Sequence, residues 1–468
     1  MKTKHFLVAQ MILLATVLLC TSVLSFAQTQ NEQKNDSELR IDQYGNVVDR
    51  EPLLVERRSG LLVFESKDQS YRFWLDARVQ LDGAYFFGEP LNPIGNGLTI
   101  RRARLGLKAN LTSQWYAELD LDFAGSQIEL KDAFLMYRLH RGDEKDVGGI
   151  RAGNFKEGFS LETTTTSRYL TFIERAMVTN TFGPSRHLGV QAFYNYKWLT
   201  GFGGIHFQDI SDSEVVVFSQ DANKGQGIDE GVSYTGKLVV MPFYNQEDYS
   251  LHLGGALSYR TPKTDADVPN SVRYSSRAET GINRKKYLDT DVISNVHHSM
   301  LSGIELAGHY KGFKFQGEYI WNSVHRNNDL ATENQSGFYV FGSAMLFGGR
   351  YAYNPGEAEY AQPINGKNWG DLELAFRYDY INMNGTNIMG GSAEAYTVGL
   401  NYYVAKNFKF IVNYSYINND RYANGKGALF VGHDVNGNLT KDPKKVVEEN
   451  GKAGDDFGFI SARIQVSF

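Results

Sequence analysis

Apolar and polar side chains alternate with a period of two along many segments of the chain. In residues 371–380, the even-numbered positions are Leu, Leu, Phe, Tyr and Tyr, and the odd-numbered positions are Asp, Glu, Ala, Arg and Asp. Residues 312–321, 407–416 and 457–468 repeat this arrangement. A period of two indicates a β-strand with one apolar and one polar face. About ten residues is also the length of a tilted strand that crosses a bilayer.

The connections between these segments are of two kinds. Very short turns occur at 111–113, 310–311 and 405–406, and long polar segments occur at 156–186, 209–228, 261–298 and 417–455. Short periplasmic turns and long extracellular loops are typical of outer-membrane barrels. The pattern therefore predicts an all-β fold, a transmembrane antiparallel β-barrel of about 16 strands over residues 60–468. The segment 348–370 is an unusually long periplasmic connection in this scheme.

The N-terminus indicates export. Lys2 and Lys4 precede the apolar run 6–20 and a small-residue cleavage site that ends at Ala27, which together predict a signal peptide at 1–27. Residues 28–59 are polar and predict a flexible segment. Cys20 is the only cysteine, so the mature chain has no disulfide and no zinc–thiolate site. The net charge is −5 and becomes more negative when cleavage of the signal peptide removes both lysines. This negative charge argues against a nucleic-acid partner.

The early strands carry full charges on their inward faces, most clearly in GLTIRRARLGLKANLTSQWYAELDLDF at 97–123. The inward residues are Asp76, Arg78 and Asp82 on one strand, Arg102, Arg104 and Lys108 on the next, and Glu118, Asp120 and Asp122 on the third. A turn at 111–113 predicts that Arg104 lies opposite Asp120 and Arg102 opposite Asp122. Asp82 is then expected beside Arg102, and Arg78 has no predicted acidic neighbour.

Two interpretations of these charges stay open. Inward guanidinium groups can bind phosphate or carboxylate through paired hydrogen bonds and so form a ladder for anions. Alternatively, each cation is paired with a carboxylate, and the network only holds a hydrated lumen in shape.

The long segment 156–186 is a second concentration of charge. It carries Lys156, Arg168, Arg175 and Arg186 together with Glu157, Glu162 and Glu174. A loop of this length and composition after an early strand can fold into the lumen, where its charges set ion selectivity. The alternative is a solvated extracellular loop without influence on selectivity.

Several motifs in order resemble the phosphate-selective porin O and P family. They are WLDARVQLDGAYFF, TIRRARLGLKANL, LKDAFLMYRL, IRAGNFKEGFSLE, FIERAM and GPSRHLGV, and later TVGLNYYVAKNFKFIVNYSY. The resemblance implies a sixteen-stranded, trimeric barrel with a basic lumen and a third loop folded inward. The residues that match the family motifs are Arg102, Arg104, Lys156, Glu162, Glu174, Arg175 and Arg186.

These observations predict a porin in the outer membrane of a Gram-negative bacterium. We expect passive diffusion of small hydrophilic solutes, in particular anions such as phosphate, through a homotrimer in contact with outer-membrane lipid. No cofactor, metal or nucleic acid is expected. A general or cation-leaning channel is the nearest alternative, because carboxylates face the arginines.

Two other classes of protein are weaker alternatives. A soluble secreted glycan-binding β-protein would also show alternating strands. An outer-membrane hydrolase would need a nucleophile with a positioned base. Ser185 and His187 are near each other, but the chain has no Gly-x-Ser-x-Gly elbow. His297 and His298 invite a metal site, yet neighbours on a strand face opposite ways, and two further ligands are needed.

Overall fold

The computed structural model describes residues 40–468 apart from 43, 49–51, 59, 89–93, 142–143, 211–229, 263–267, 424–431, 441–444, 446 and 448–455. The chain divides into two units, Met1–Pro52 and Leu53–Phe468. The described part of the first unit contains one short pair of strands, Arg40–Ile41 and Val47–Val48. The signal peptide predicted at 1–27 lies outside the described residues.

The second unit is a closed antiparallel barrel of 16 strands, as the alternation predicts. The strands are β1 Arg72–Phe87, β2 Gly97–Asn110, β3 Trp115–Asp122, β4 Glu129–Arg141, β5 Glu144–Lys156, β6 Arg186–Tyr196, β7 Leu199–His206, β8 Ser233–Val240, β9 Tyr249–Arg260, β10 Val296–Tyr310, β11 Phe313–Arg326, β12 Glu333–Met345, β13 Asp371–Asn384, β14 Met389–Ala405, β15 Phe408–Asn419 and β16 Phe457–Ser467. The barrel closes where β16 pairs with β1, with Gln465 opposite Gln80. This confirms the predicted fold class and strand number.

The apolar faces of the strands point outward and the polar faces point into the lumen. Phe376 on β13 is 51% exposed, whereas its neighbour Arg377 is 0% exposed. The same contrast separates Phe313 from Lys314 on β11. Such a barrel turns its apolar side chains toward lipid, which explains how a membrane protein can have a mean hydropathy of −0.38.

Short elements complete the second unit. Leu54–Arg58 pairs with Leu61–Glu65, which in turn pairs with the start of β1, so the polar segment 28–59 ends in a strand. Further pairs are Ser275–Arg277 with Lys286–Asp289, Tyr353–Asn354 with Glu359–Tyr360, and Gly432–His433 with Leu439–Thr440. The helices are α1 Leu161–Thr164, α2 Met177–Phe182 and a 3-10 turn at Ala124–Ser126. In the described part of the chain, none of the helices has the length and apolar character needed to cross a membrane.

The predicted register of β2 against β3 is wrong by two residues. Arg104 lies opposite Asp122, and Asp120 lies opposite Gly106. The cause is the turn, because Asn110 pairs with Tyr116 and the connection is longer than 111–113.

The predicted neighbour of Asp82 is also wrong. A bulge in β2 inserts Arg101 between the positions that pair with Gln80 and Leu81. Arg102 therefore lies opposite Gln80, and Asp82 lies opposite Thr99. Because a bulge breaks the alternation of faces, both Arg101 and Arg102 reach the lumen.

Candidate functional site: a charged passage beside the inward loop

The third extracellular loop, residues 157–185, folds into the lumen, as the sequence predicts; we call it the inward loop. The backbone N–H of Leu161 donates to Glu305 on β10 at 2.6 Å, and that of Ile173 donates to Asn413 on β15 at 2.9 Å. Lys409 on β15 donates to the carbonyl oxygen of Leu170 at 3.1 Å. Wall side chains thus satisfy backbone groups that an inserted loop would otherwise leave buried without partners.

Apolar packing holds the inward loop against one half of the barrel. Phe172, Met177 and Val178 are buried in a cluster with Phe341 on β12 and Ile381 on β13. Burial of large apolar side chains contributes about 1.5–3 kcal/mol each relative to exposure. The inward loop therefore seals the lumenal faces of β10 to β15.

The long connection between β12 and β13 enters the lumen from the opposite end; we call residues 346–370 the periplasmic strap. The hydroxyl of Tyr351 donates to Glu373 at 2.7 Å, and the hydroxyl of Tyr353 lies 2.6 Å from Nδ1 of His252 on β9. Asn195 on β6 donates to the carbonyl oxygen of Gly356 at 3.0 Å. The strap therefore crosses the periplasmic opening from β12 to β6.

The strap and the inward loop meet inside the barrel. Leu161 of the inward loop is buried in one cluster with Tyr351 and Tyr360 of the strap and with Tyr403 on β14. The inward loop and the strap therefore narrow the lumen from its two ends, and they meet on the side formed by β10 to β15. On the opposite side lie the inward faces of β1 to β6, which we call the charged wall.

Exposure separates the charged wall from the sealed side. The side chains of Lys108 and Arg104 on the charged wall are 24% and 12% exposed, and that of Arg168 on the inward loop is 18% exposed. On the sealed side, the side chain of Arg377 is 1% exposed, and that of Arg463 on the adjoining strand β16 is 0% exposed. The space between the inward loop and the charged wall is therefore the candidate passage for a solute.

Many cations of the charged wall are paired with carboxylates. Arg104 contacts Asp122 at 2.8 Å and Asp120 at 3.9 Å. Lys108 contacts Asp76 at 3.3 Å and Glu118 at 3.4 Å. Across the passage, Arg168 of the inward loop also pairs with Asp76, and Arg186 on β6 pairs with Asp132 on β4. These pairs fit the interpretation of a salt-bridged wall.

Three of the predicted cations have a different environment. Among the described residues, Arg78, Lys156 and Arg175 have no carboxylate oxygen within 4.0 Å. Arg78 donates to the hydroxyl of Thr166 at 3.1 Å. Lys156 donates to the carbonyl oxygen of Thr164 at 2.9 Å, and Arg175 donates to that of Thr165 at 2.7 Å. Neutral oxygens orient these cations without cancelling their charge.

Glu174 of the inward loop lies within a cage of arginines. Its carboxylate oxygens lie 2.6 Å from Arg101, 3.2 Å from Arg277, 3.5 Å from Arg463 and 4.0 Å from Arg102. Burial raises the pKa of Glu174, but the nearby charges, chiefly those of Arg101 and Arg102, outweigh burial and hold the pKa well below its usual range. Glu174 is therefore ionised and fastens the inward loop to β2, to β16 and to the hairpin at Ser275–Arg277.

The remaining predicted carboxylates pair with arginines that lie outside the charged wall. Asp82 pairs with Arg463 on β16, and Glu162 lies 3.4 Å from Arg377 on β13. The arginine partners of these carboxylates and of Glu174 were not predicted from the sequence; they are Arg101, Arg277, Arg377 and Arg463. Arg377 and Arg463 do occupy inward positions of alternating strands, so their burial in the lumen could have been inferred; their partners could not.

His297 and His298 were considered as metal ligands, and Ser185 and His187 as a hydrolase site; the structure supports neither arrangement. The register shifts between Val296 and His298, which brings the Nδ1 atoms of His297 and His298 to 2.7 Å instead of placing the rings on opposite faces. Nevertheless, within the described ranges no group of three or more His, Cys, Asp or Glu could hold a metal ion. Ser185 is exposed, and His187 lies 2.7 Å from the carboxylate of Glu157.

The chain is similar to known porins in sequence. It is 27% identical over 366 residues to an uncharacterised protein of Caulobacter vibrioides, covering 75% of this chain and 69% of the relative. It is 22% identical over 430 residues to Porin O of Pseudomonas aeruginosa, covering 81% and 90%. Among solved structures, an anion-selective porin from Comamonas acidovorans matches with a TM-score of 0.49 and 12% identity, covering 85% and 100%.

The family match spans most of the barrel. Residues 73–436 match the family described as phosphate-selective porin O and P, a range that includes the charged wall and the inward loop. A porin family indicates a channel in the outer membrane rather than a hydrolase or a soluble glycan-binding protein. The chain therefore belongs to the phosphate-selective porin O and P family.

Proposed function

We propose that this channel prefers anions and conducts small anionic solutes such as phosphate past the charged wall. One observation carries the proposal: Arg78, Lys156 and Arg175 bind hydroxyl and carbonyl oxygens rather than carboxylates, and we infer that their charges act on solutes in the passage. Charged side chains at a constriction set the sign of the ions that pass. The paired residues contribute little net field, because each cation there has a carboxylate neighbour.

The same geometry favours oxyanions over chloride. A guanidinium group presents parallel N–H donors that match two oxygens of a phosphate or carboxylate. Arg78 uses Nη1 for its bond to Thr166, and its Nε donates to no atom of the described residues. Because this Nε is buried, Arg78 would act on a passing oxyanion through its charge, and Arg175 lies on the facing loop.

A planar bilayer under a potassium chloride gradient tests the proposal. We expect the reversal potential to lie on the chloride side and added phosphate to reduce the chloride current. Arg78→Gln, Lys156→Gln and Arg175→Gln should each move the potential toward potassium. Lys197→Gln, which removes an exposed cation in the periplasmic turn between β6 and β7, is the matched control and should leave the potential unchanged.

The alternative outcome identifies a different channel. A reversal potential on the potassium side in the wild-type protein would show that Asp76, Glu118 and Asp120 dominate the passage, and the anion proposal would then be abandoned. The homotrimer implied by the family resemblance is part of the proposal too. Migration in an unheated detergent gel, compared with a heated sample, tests it, because a stable trimer migrates at higher apparent mass.

A further inference from the structure

The lipid-facing surface of the barrel contains a depression at its periplasmic end, which we call the outer trough. Its floor is formed by Gly342 and Ala344 on β12. Its walls are formed by Phe313 and Phe315 on β11 and by Leu374 and Phe376 on β13. Pairing fixes this arrangement, because Phe315 and Phe376 lie opposite Gly342 from the two sides, and Phe313 and Leu374 lie opposite Ala344.

The outer trough is large enough for a ligand. It has a volume of about 580 Å³, within the range of roughly 300–1,000 Å³ typical of small-molecule sites. Phe313 on its wall is 69% exposed and Leu374 is 47% exposed. Val340 projects outward two residues before Gly342 and is 51% exposed.

Lysines and aromatic rings flank the periplasmic end of the trough. Lys311 is exposed in the turn between β10 and β11, two residues before the wall residue Phe313. Lys367 is exposed in the periplasmic strap. Its backbone pairs with that of Gly370, the residue directly before β13. Trp369 packs edge-to-face against Phe347 with ring centroids 5.0 Å apart. Neither lysine forms an ion pair with another described residue, so both positive charges are available at the depth of the headgroups.

We propose that the outer trough binds one acyl chain of a glycerophospholipid whose phosphate lies between Lys311 and Lys367. A single hydrocarbon chain fits a narrow apolar channel between two rows of side chains, and a phosphate complements the lysines at its mouth. A second copy of the barrel would present a convex strand face, which fills a trough only with a protruding side chain and brings no phosphate to the lysines. The phospholipid thus matches both the shape and the charge of the site.

Glycine 342 allows the site to be filled without disturbing the lumen. A Cβ atom at Gly342 would meet only the carbonyl oxygen of Lys314, at 3.9 Å, so Gly342→Leu places a side chain in the trough at little steric cost. Gly255→Leu is the matched control, because Gly255 is an exposed outward glycine on β9 whose Cβ would meet only a carbonyl oxygen at 4.0 Å. Lys311→Asn with Lys367→Gln removes both charges and leaves the floor intact.

Native mass spectrometry of full-length protein from vesicles of phosphatidylethanolamine and phosphatidylglycerol tests the proposal. We expect one phospholipid to be retained on the wild-type chain and on Gly255→Leu after detergent exchange. Gly342→Leu should lose the phospholipid. Lys311→Asn and Lys367→Gln should each weaken its retention about fivefold when made singly, and more when combined.

The same spectra contain the results that overturn the proposal. Equal retention by all variants, or no retained phospholipid on the wild-type chain, would show that the trough does not bind lipid. If Gly342→Leu instead lowers the number of chains in the assembly while lipid retention is unchanged, the trough is an interface between copies of the chain. Heat-modified migration of each variant confirms that the barrel has folded.

Discussion

Arg463 on the last strand donates two hydrogen bonds to Asp82 on the first strand, from Nε to Oδ1 at 2.6 Å and from Nη2 to Oδ2 at 2.7 Å. The two residues are directly paired across the line where the barrel closes. Both are buried, so the bidentate pair joins the ends of the sheet in a region that excludes water.

The Asp82–Arg463 pair makes barrel closure sensitive to loss of either charge. Asp82→Asn leaves Arg463 buried with only the 3.5 Å contact to Glu174, and breaking a buried pair costs about 3–5 kcal/mol. We expect guanidinium unfolding from detergent micelles to occur at a clearly lower denaturant concentration. Asp68→Asn, which alters an exposed turn before β1, should unfold like the wild-type protein. Equal midpoints for both variants would show that the pair does not stabilise the closure.

Glu174 limits the positive field of the passage. Among the residues that the structure describes, it is the one carboxylate that contacts Arg101, Arg277 and Arg463 together. Glu174→Gln removes its charge and leaves the shape of the loop similar, so the arginine cage becomes more positive. We expect the permeability ratio of chloride to potassium to rise about fivefold, since one charge near the passage changes the free energy by ~1 kcal/mol. Glu129→Gln, at an exposed position at the start of β4, is the control. A ratio that does not rise would place the cage outside the field felt by the ion.

The pH dependence of selectivity follows from the periplasmic strap. Burial, and then the charge of Glu357, raise the pKa of Glu359 to about 8, and Glu359 in turn interacts electrostatically with Lys156. Below this pKa the Glu359 carboxyl is neutral; above it, the carboxylate adds a negative charge near a cation of the passage. Anion preference should therefore fall between about pH 7 and pH 9.

Reversal potentials measured across that pH range test this expectation. Glu359→Gln should abolish the pH dependence, whereas Glu247→Gln, which changes a carboxylate that is 85% exposed outside the passage, should retain it. A pH dependence that persists in Glu359→Gln would mean that another group titrates.

The fold could be predicted from the sequence because lipid and water impose opposite demands on alternate residues. Phe376 and Arg377 illustrate this, since only a strand with one face in lipid and one in the lumen satisfies both. The third loop was also predictable, because its length and composition do not suit a simple turn. Contacts between segments that are distant along the chain could not be predicted. The bulge at Arg101 breaks the alternation without a local signal, and the partners of Glu174 come from three separate parts of the chain.

The periplasmic strap shows the same limit in another form. Its unusual length is visible in the sequence, but its direction depends on distant contacts. Tyr353 and Tyr360 contact His252 and Ser250, which lie about a hundred residues earlier on β9, and Tyr351 contacts Glu373 on the next strand. Sequence patterns describe each segment's own faces. They do not describe which lumenal group accepts a hydrogen bond from a segment that enters from outside.

Shortening the strap should widen the passage. The ends of its inner hairpin are already joined, because the N–H of Ala361 donates to the carbonyl oxygen of Ala352 at 2.9 Å. Replacing residues 353–360 by two glycines therefore removes the part that covers β8 and β9 and leaves the rest of the connection in place. Single-channel conductance should roughly double, because the narrowest cross-section limits the current and the deleted hairpin occupies part of that cross-section.

A second variant separates the space that the strap occupies from the hydrogen bonds that it makes. Tyr353→Phe with Tyr360→Phe removes the hydroxyl contacts to His252 and Ser250 but retains the rings in the lumen. If the strap narrows the channel by occupying space, this variant conducts almost like the wild-type protein while the shortened variant conducts more. If both conduct more, the hydroxyl contacts are what hold the strap inside the barrel. Unchanged conductance in the shortened variant would show that the inward loop alone sets the limit.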